Sequence, residues 1–480
     1  MSIRTHKIFL LSMLAVTCAF NVQPSSAQDC EIVPGLILTL KEPRMGAYSV
    51  WDTQMGQRDT QESFVDGILL GNREILTVGV DPGRDFMHSQ IIFAQTRING
   101  RVRWQKRYSL SGVEGVFKLL RAGDELLVFV NRRDAKAGFN IWVGRFDMAG
   151  NFIAEQEIKN KTHDVMGHDV IVNDGVLLGS EASYIVASST LPKVRDGLPD
   201  AHREQQENAV LLQLDKAGKV IADRALATGS GSRMNDLAVV PGEGLLGSGY
   251  SFGADGRKNG WVVRIDQHND LLWQQQYPRG AGAVLSMGEP LLSDAFLLIG
   301  SAAPAEAEAS RAGFVMAVSK VDGAVLWQRY LRSQMDLDVI DMNINDEGVG
   351  SLLINAAPFS VDGKKRAPMK EVDADIVGTD EEYKVDIAHL RLLTFSPRGE
   401  LIDAEAYFNG QGVTGHKLLN GYKGQRVMIG QSDVLYRPEE AMADSSLEME
   451  GVVSRDAWMA AAQSVNPFED PCKPVQYRTP

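Results

Sequence analysis

The sequence has little cysteine and lacks any excess of positive charge. Only three of its 480 residues are cysteines, which excludes a small fold held together by many disulfides. Acidic residues outnumber basic ones, 62 to 49, so the formal charge is −13. Because an acidic chain repels phosphate backbones, we expect no nucleic-acid partner. The rest of the composition, 44% hydrophobic and 23% charged, is typical of a globular protein.

Long apolar runs are also missing, except near the N-terminus. There, residues 8–20 form an uncharged run that follows Arg4 and Lys7 and precedes the small residues Ser25 to Ala27. This order is typical of a secretory signal, and the run is short for a membrane helix, although an N-terminal anchor is the alternative. We therefore expect residues 1–27 to be a signal peptide. The mature chain is expected to be periplasmic or secreted, without membrane insertion.

A repeat runs along the rest of the chain. Its unit is four short apolar strands, A to D, with a tight turn between C and D that usually holds glycine, as in the clear copies at 259–277 and 312–330. The turns recur every 50 to 76 residues, at Gly100, Gly150, Gly218, Asp270, Gly323 and Gly399. Propeller blades need about 40–50 residues each. The sequence predicts an all-β, seven-bladed β-propeller with six complete units at 62–109, 113–160, 164–228, 232–279, 282–332 and 336–409.

The seventh unit, which begins at His416, lacks a clear C–D pair. Residues 35–51 have the form of that missing pair, so we expect N-terminal strands to close the last blade. Closure would bring the chain ends together, which favours a disulfide between Cys30 and Cys472, two separate thiols being the alternative. On this interpretation the propeller spans 28–433. Residues 434–480 form a tail packed on it, with a short capped helix after Ser454.

The copies at 259–277 and 312–330 resemble the repeats of bacterial exported β-propellers of the quinoprotein-like (PQQ-like) type. Those families include scaffolds, sensors and enzymes. Quinone-dependent members would add a run of tryptophan-docking repeats, an adjacent cysteine pair and a calcium site. This chain has no adjacent cysteine pair, and its tryptophans Trp104, Trp273 and Trp327 favour blade packing. We therefore predict no cofactor, while a divalent cation such as calcium stays open.

Two insertions and several polar residues are the candidates for function. The insertions 188–207 and 360–386 both fall between strands B and C, which places them on one face, where they would hold a protein or peptide partner unless they are mere decoration. Candidate catalytic residues at the channel mouth are His168, His416, Asp236 and Asp338. Weak candidates for metal ligation are His163, His168, Asp373 and Asp375. Polar side chains that merely solvate the channel are the alternative.

These features favour an exported scaffold that binds a protein or peptide through its long B–C loops. A channel-centred hydrolase or lyase, with or without a metal, is the second interpretation. The third is a supporting subunit of an envelope redox complex. Fold alone does not decide among them.

Overall fold

The computed structural model describes residues 33–41, 47, 49–56, 60–71, 73–83, 88–134, 138–193, 204–226, 231–304, 310–358, 387–408, 412–420, 424–436 and 452–462. Nearly all of this is β structure. The described residues contain no helix that is long and apolar enough to cross a membrane. The strands are β1 Gly35–Thr39, β2 Trp51–Met55, β3 Ser63–Leu70, β4 Glu74–Asp81, β5 Gln90–Arg97, β6 Val102–Ser109, β7 Val113–Ala122, β8 Glu125–Asp134, β9 Gly138–Asp147, β10 Phe152–Ile158, β11 His163–Val172, β12 Tyr184–Pro192, β13 Asn208–Leu214, β14 Val220–Ala225, β15 Ser232–Val240, β16 Gly244–Phe252, β17 Lys258–Ile265, β18 Leu271–Tyr277, β19 Gly282–Leu291, β20 Ala295–Ala303, β21 Ala312–Ser319, β22 Val325–Arg332, β23 Asp336–Ile344, β24 Gly350–Ala357, β25 His389–Phe395, β26 Leu401–Tyr407, β27 Val413–Asn420, β28 Arg426–Tyr436 and β29 Val452–Ala462.

The strands form seven sheets, which are the blades of a propeller, and the four strands that make up each blade are antiparallel. Blades 1 to 6 are β3–β6, β7–β10, β11–β14, β15–β18, β19–β22 and β23–β26, each in sequential order. Blade 7 has the order β27-β28-β29-β2. The seven-bladed all-β fold expected from the repeat is confirmed. Because each blade is an antiparallel meander, its B–C loop and the connection to the next blade emerge on the same face, which we call the loop face.

The recurring tryptophans pack between neighbouring blades. Each lies on the outermost strand of one blade and contacts the glycine in the C–D turn of the next. The pairs are Trp51 with Gly100, Trp104 with Gly150, Trp273 with Gly323 and Trp327 with Gly399. At Gly399, which has φ +77°, an added Cβ would lie 2.6 Å from the Trp327 ring, so the turn needs glycine both for its conformation and for space.

The last blade is closed by the N-terminus, as expected, but by one strand rather than two. Strand β2 supplies the outermost position, and β29 from the C-terminal region occupies the third. The segment expected to be strand C, β1, instead runs parallel to β22 as a fifth strand of blade 5. With β29 already paired to β28, blade 7 has no place for β1, whose backbone groups are satisfied at the edge of blade 5.

The helix expected after Ser454 is wrong. Residues 452–462 form β29, which pairs with β28 on one side and β2 on the other. The run Ala457-Trp458-Met459-Ala460-Ala461-Ala462 favours helix by propensity, but all six side chains are buried between neighbouring blades. The ring therefore extends to Ala462, through part of the segment expected to be an external tail. Residues 1–27, Cys30 and Cys472 lie outside the described residues, so the signal peptide and the disulfide stay predictions.

The N-terminal segment contacts the outer edges of three successive blades. Pro34 and Leu40 hydrogen-bond β22 of blade 5, the Ala47 N–H donates to Ala406 O of blade 6 at 2.5 Å, and β2 pairs with blade 7. The buried Arg329 side chain fastens this arrangement. Its Nη1 donates to Val33 O at 2.8 Å and its Nε donates to Gly399 O of blade 6 at 2.6 Å.

Truncation from the N-terminus tests this description. A chain that begins at residue 33 should fold like the mature protein under reducing conditions. A chain that begins at 42 lacks β1 and should have a lower melting temperature. A chain that begins at 57 also lacks β2 and should aggregate, because the edge of β29 is then exposed. Equal melting temperatures for all three chains would contradict the role assigned to the segment.

Candidate functional site: the central channel and a pocket at its rim

The innermost strand of every blade carries a β-bulge at the same position. The bulged residues, one from each blade, are Val65, Phe117, His168, Asn235, Ser286, Ile340 and His416. All seven line a cavity of about 380 Å³ in the central channel. The two histidines expected to occupy equivalent positions in blades 3 and 7 therefore do so. A bulge re-aims the side chains beside it, and here it turns the next residue of each strand into the channel.

The residues that follow the bulges form a ring of charge. They are Asp66, Lys118, Asp169, Asp236, Met287, Asp341 and Lys417, all of which line the same cavity. Glu289, two residues beyond Met287, adds a fifth carboxyl group. Fully ionised, the channel would therefore hold five negative and two positive charges.

All four aspartates of this ring accept a hydrogen bond from the next blade. Asp66 accepts the N–H of Leu119 at 2.8 Å, and Asp169 accepts that of Leu237 at 3.0 Å. Asp236 and Asp341 likewise accept N–H groups, from Gly288 at 3.0 Å and from Leu418 at 2.7 Å. Each donor stands one residue after the ring position of the following blade. The carboxylates thus join blades 1 to 2, 3 to 4, 4 to 5 and 6 to 7 around the channel.

The two lysines pair with aspartates of the same ring. Lys118 Nζ lies 2.6 Å from Asp169, and Lys417 Nζ lies 3.3 Å from Asp341. Burial by itself would lower the pKa of both lysines, but the surrounding aspartates raise it above the ordinary value. Both side chains are therefore cationic at neutral pH, and each compensates a buried carboxylate.

Asp66, Asp236 and Glu289 are not paired with either lysine. Burial, Asp169 and Glu289 raise the pKa of Asp236 well above its usual range. Burial, with Asp341 and Asp169, raises the pKa of Glu289 to about 7, despite the opposing effect of Lys417. The channel therefore holds a fraction of its acids in the neutral form at physiological pH.

His168 belongs to a buried polar cluster at the channel wall. Its Nε2 lies 2.8 Å from Ser189 Oγ and 3.9 Å from Glu207 Oε1, while Arg233 and Tyr250 donate to Glu207 at 2.7 and 2.9 Å. Burial, with a contribution from Arg233, lowers the pKa of His168 to about 3. Serine and glutamate approach the same ring nitrogen, whereas a catalytic triad needs the acid on the other one. The cluster is thus not arranged as a nucleophile relay.

The other candidates separate into two places. His416 lies at the channel, where burial lowers its pKa to about 4, and no described residue bonds its Nε2. Asp338 lies outside the channel cavity and is bound by Nη1 of Arg311 through both oxygens, at 2.6 and 2.8 Å. The structure therefore brings His168, His416 and Asp236 together and places Asp338 apart.

The metal candidates are not gathered by the described part of the chain. His163 begins β11, with its Nδ1 2.9 Å from the Thr162 hydroxyl, and His168 lies beyond it on the channel wall. Among the described residues, no three His, Cys, Asp or Glu side chains converge as a metal site. Asp373 and Asp375 lie outside the described residues.

A larger pocket of about 640 Å³ lies at the channel rim on the loop face. Its walls come from blades 4, 5 and 6, and Ser286 and Ile340 line both this pocket and the channel cavity. Three cationic side chains, Arg257, Lys258 and Arg311, surround it together with Asp338. We call it the rim pocket. Its cations come from two blades, Arg257 and Lys258 at the β16–β17 hairpin and Arg311 just before β21, so sequence patterns gave no signal for it.

A G-x-S-x-G spacing occurs at Gly249–Gly253, beside the rim pocket. In hydrolases this motif places the serine on a sharp strand-to-helix turn. Here Ser251 is fully buried on β16, in a β-hairpin, and its hydroxyl accepts a hydrogen bond from Gln276 at 2.8 Å. This serine therefore has a structural role.

No family model matches the sequence, and no curated protein matches it. Solved structures that resemble it include the phage phi92 endosialidase, at 8% identity and TM-score 0.40 over 89% of this chain and 71% of that one. The β-propeller domain of the trilobed protease from Pyrococcus furiosus has 8% identity and TM-score 0.38, over 77% and 89%. The lignostilbene dioxygenase of Pseudomonas brassicacearum has 10% identity and TM-score 0.39, over 78% and 87%. The likeness concerns the propeller fold and carries no inference about activity.

Replacing a channel aspartate tests whether these carboxylates hold neighbouring blades together. Asp169→Ala leaves the Leu237 N–H without its acceptor and Lys118 without its partner, so the free energy of unfolding should fall by about 2–4 kcal/mol. The exposed turn variant Asp346→Ala should change it by less than about 0.5 kcal/mol. Urea unfolding of both variants measures the difference, and equal effects would contradict the role.

Glu289 gives a pH-dependent prediction. Because its pKa rises from 4.5 to about 7 on folding, its contribution to stability is complete below pH 4.5 and is lost as the pH rises through 7. Glu289→Gln should therefore raise the free energy of unfolding at pH 8 by up to about 3 kcal/mol and change it little at pH 4.5. Exposed Glu347→Gln is the control, expected to show no such pH dependence. A Glu289→Gln effect that is equal at both pH values would show that the carboxyl is not held neutral.

Proposed function

We propose that the mature chain is an exported β-propeller that binds a protein or peptide partner on its loop face. The observation that carries the proposal is that polar groups in the channel and at its rim are engaged by the protein itself. Asp236 accepts a backbone N–H of the next blade, His168 contacts a buried serine, and Asp338 is bound by Arg311. Groups engaged in this way support a rigid frame better than they support proton transfer.

The loop face supports the binding role by its construction. In all seven blades strand B ends and strand C begins at this face, and the two long insertions belong to blades 3 and 6, on opposite sides of the ring. Residues 194–203 and 360–386 of these insertions lie outside the described residues. Binding functions are commonly carried by loops that a rigid scaffold positions. Export to the periplasm or beyond is part of the same proposal.

Shortening the two insertions tests this function. In one variant, 194–203 and 361–386 are replaced by short Gly-Ser linkers, and the intact mature protein is compared with it by cross-linking in native envelope extract. A partner cross-linked to the loop face of the intact protein should be lost from the variant. Leu178→Ser, an exposed change on the opposite face, is the matched control and should retain the partner. Capture that survives loop shortening would overturn the proposal.

A hydrolase centred on the channel is the second candidate, because His168 and Ser189 are 2.8 Å apart. Against it, Ser189 is fully buried and the acid approaches the wrong ring nitrogen. Turnover of p-nitrophenyl acetate separates the two functions. Hydrolysis abolished by both His168→Ala and Ser189→Ala would favour the hydrolase. Hydrolysis at the buffer rate, or equal in all three proteins, would exclude it.

A further inference from the structure

The rim pocket combines a cationic edge with an apolar floor in a chain whose net charge is strongly negative. Its accessible apolar lining includes Phe252 and Val284, together with small residues of β19 and β20. Its volume of about 640 Å³ falls within the range of pockets that hold small molecules or short peptide segments. The pocket therefore offers both burial for apolar groups and charge for an anion.

Arg311 uses only one of its three guanidinium nitrogens in hydrogen bonds to described residues. Both of its hydrogen bonds to Asp338 use Nη1, at 2.6 and 2.8 Å. Among the described residues, none accepts a hydrogen bond from its Nε or Nη2. The backbone N–H of Arg311 donates to Asp336 at 2.6 Å, so the residue is held in place from its main chain as well. A planar pair of N–H donors at a fixed position fits a carboxylate better than a point charge does.

Arg257 lies across the rim pocket on the hairpin between β16 and β17. The turn is fixed by the Arg257 N–H, which donates to Asp255 at 3.1 Å. The guanidinium itself is 62% exposed and lies 3.7 Å from the Asp255 carboxylate, beyond hydrogen-bond distance. Its position is thus set by the backbone while its donors face solvent.

Lys258 is less available than the two arginines for a hydrogen bond to a ligand. Its Nζ lies 2.8 Å from Glu204 and 4.6 Å from the centre of the Tyr250 ring. It adds positive potential to the rim pocket, and the arginines provide the hydrogen bonds. The neighbouring channel carries five carboxyl groups, so an anion is favoured at the rim and opposed further in.

We propose that the rim pocket binds an acidic peptide segment, with a Glu or Asp carboxylate on Arg257 and Arg311 and flanking apolar side chains against Phe252 and Val284. This inference rests on the proposed function and names the class of partner. It identifies the pocket as the place on the loop face where the partner's charge is recognised.

Two synthetic peptide pools test the proposal. Each is seven residues long and randomised at six positions, with the central residue fixed as Glu in one pool and Gln in the other, and both termini blocked. Immobilised mature protein is equilibrated with an equal mixture, and retained peptides are counted by mass spectrometry. We expect at least tenfold enrichment of the Glu pool. Retention of neither pool, or equal retention of both, would overturn the proposal.

Variants locate the site. Arg257→Gln should reduce the enrichment at least threefold. The double variant Arg311→Gln with Asp338→Asn, which leaves no unpaired charge, should abolish it while keeping the melting temperature. Arg133→Gln is the matched control, because Arg133 is 55% exposed at the loop face of blade 2. Enrichment that persists in both pocket variants would overturn the proposal.

A competition experiment distinguishes a peptide carboxylate from that of a small carboxylic acid. N-acetylphenylalanine, compared with its amide, should compete weakly with the Glu pool. If it binds while neither pool is retained, the site takes a small carboxylic acid and the peptide assignment is wrong. If the pocket variants lose peptide enrichment but still cross-link the loop-dependent partner, the proposed function stands and only the pocket assignment fails. If no partner is captured by intact protein, the proposed function fails as well.

Discussion

The propeller depends on a hydrogen bond between an inward-facing aspartate and the backbone of the next blade. Four of the seven innermost strands present this carboxylate, and a β-bulge at a common position aims each one. Burying such groups is expensive unless they are paired. The N–H groups of the following blade, together with Lys118 and Lys417, offset that cost for most of the ring. Charge in the channel is therefore first a property of the fold, and this bears on every functional interpretation of it.

The ring is closed by the N-terminal segment rather than by the aspartates. The N-terminal segment contacts the outer edges of blades 5, 6 and 7 in turn, and Arg329 links its beginning to blades 5 and 6. Open sheet edges invite pairing with other chains, so covering them prevents such pairing as well as closing the ring. The segment satisfies a parallel edge at β22 and an antiparallel edge at β29.

The unit boundaries could be predicted because apolar strands and turn glycines repeat in register, and the equivalence of His168 and His416 followed from the same register. The strand at 452–462 could not be predicted, because its alanines favour helix by propensity. They form a strand because they are buried between neighbouring blades. The aspartate ring left a partial signal, an Asp at the equivalent position of four inner strands. The bulge that turns each Asp into the channel cannot be recognised from the sequence of a single blade. The rim pocket combines three blades, which no local pattern describes.

The channel carries acidic groups and its rim carries arginines. Both are held by the ring of blades, which the four aspartates join. Amide hydrogen exchange of Leu119, Leu237, Gly288 and Leu418 tests this joining most directly, because these N–H groups are the donors to the four aspartates. If the aspartates hold the blades together, these N–H groups exchange only through global unfolding, at the slowest rates in the protein. Exchange within minutes, at rates typical of the loops, would show that the aspartates do not hold the blades together.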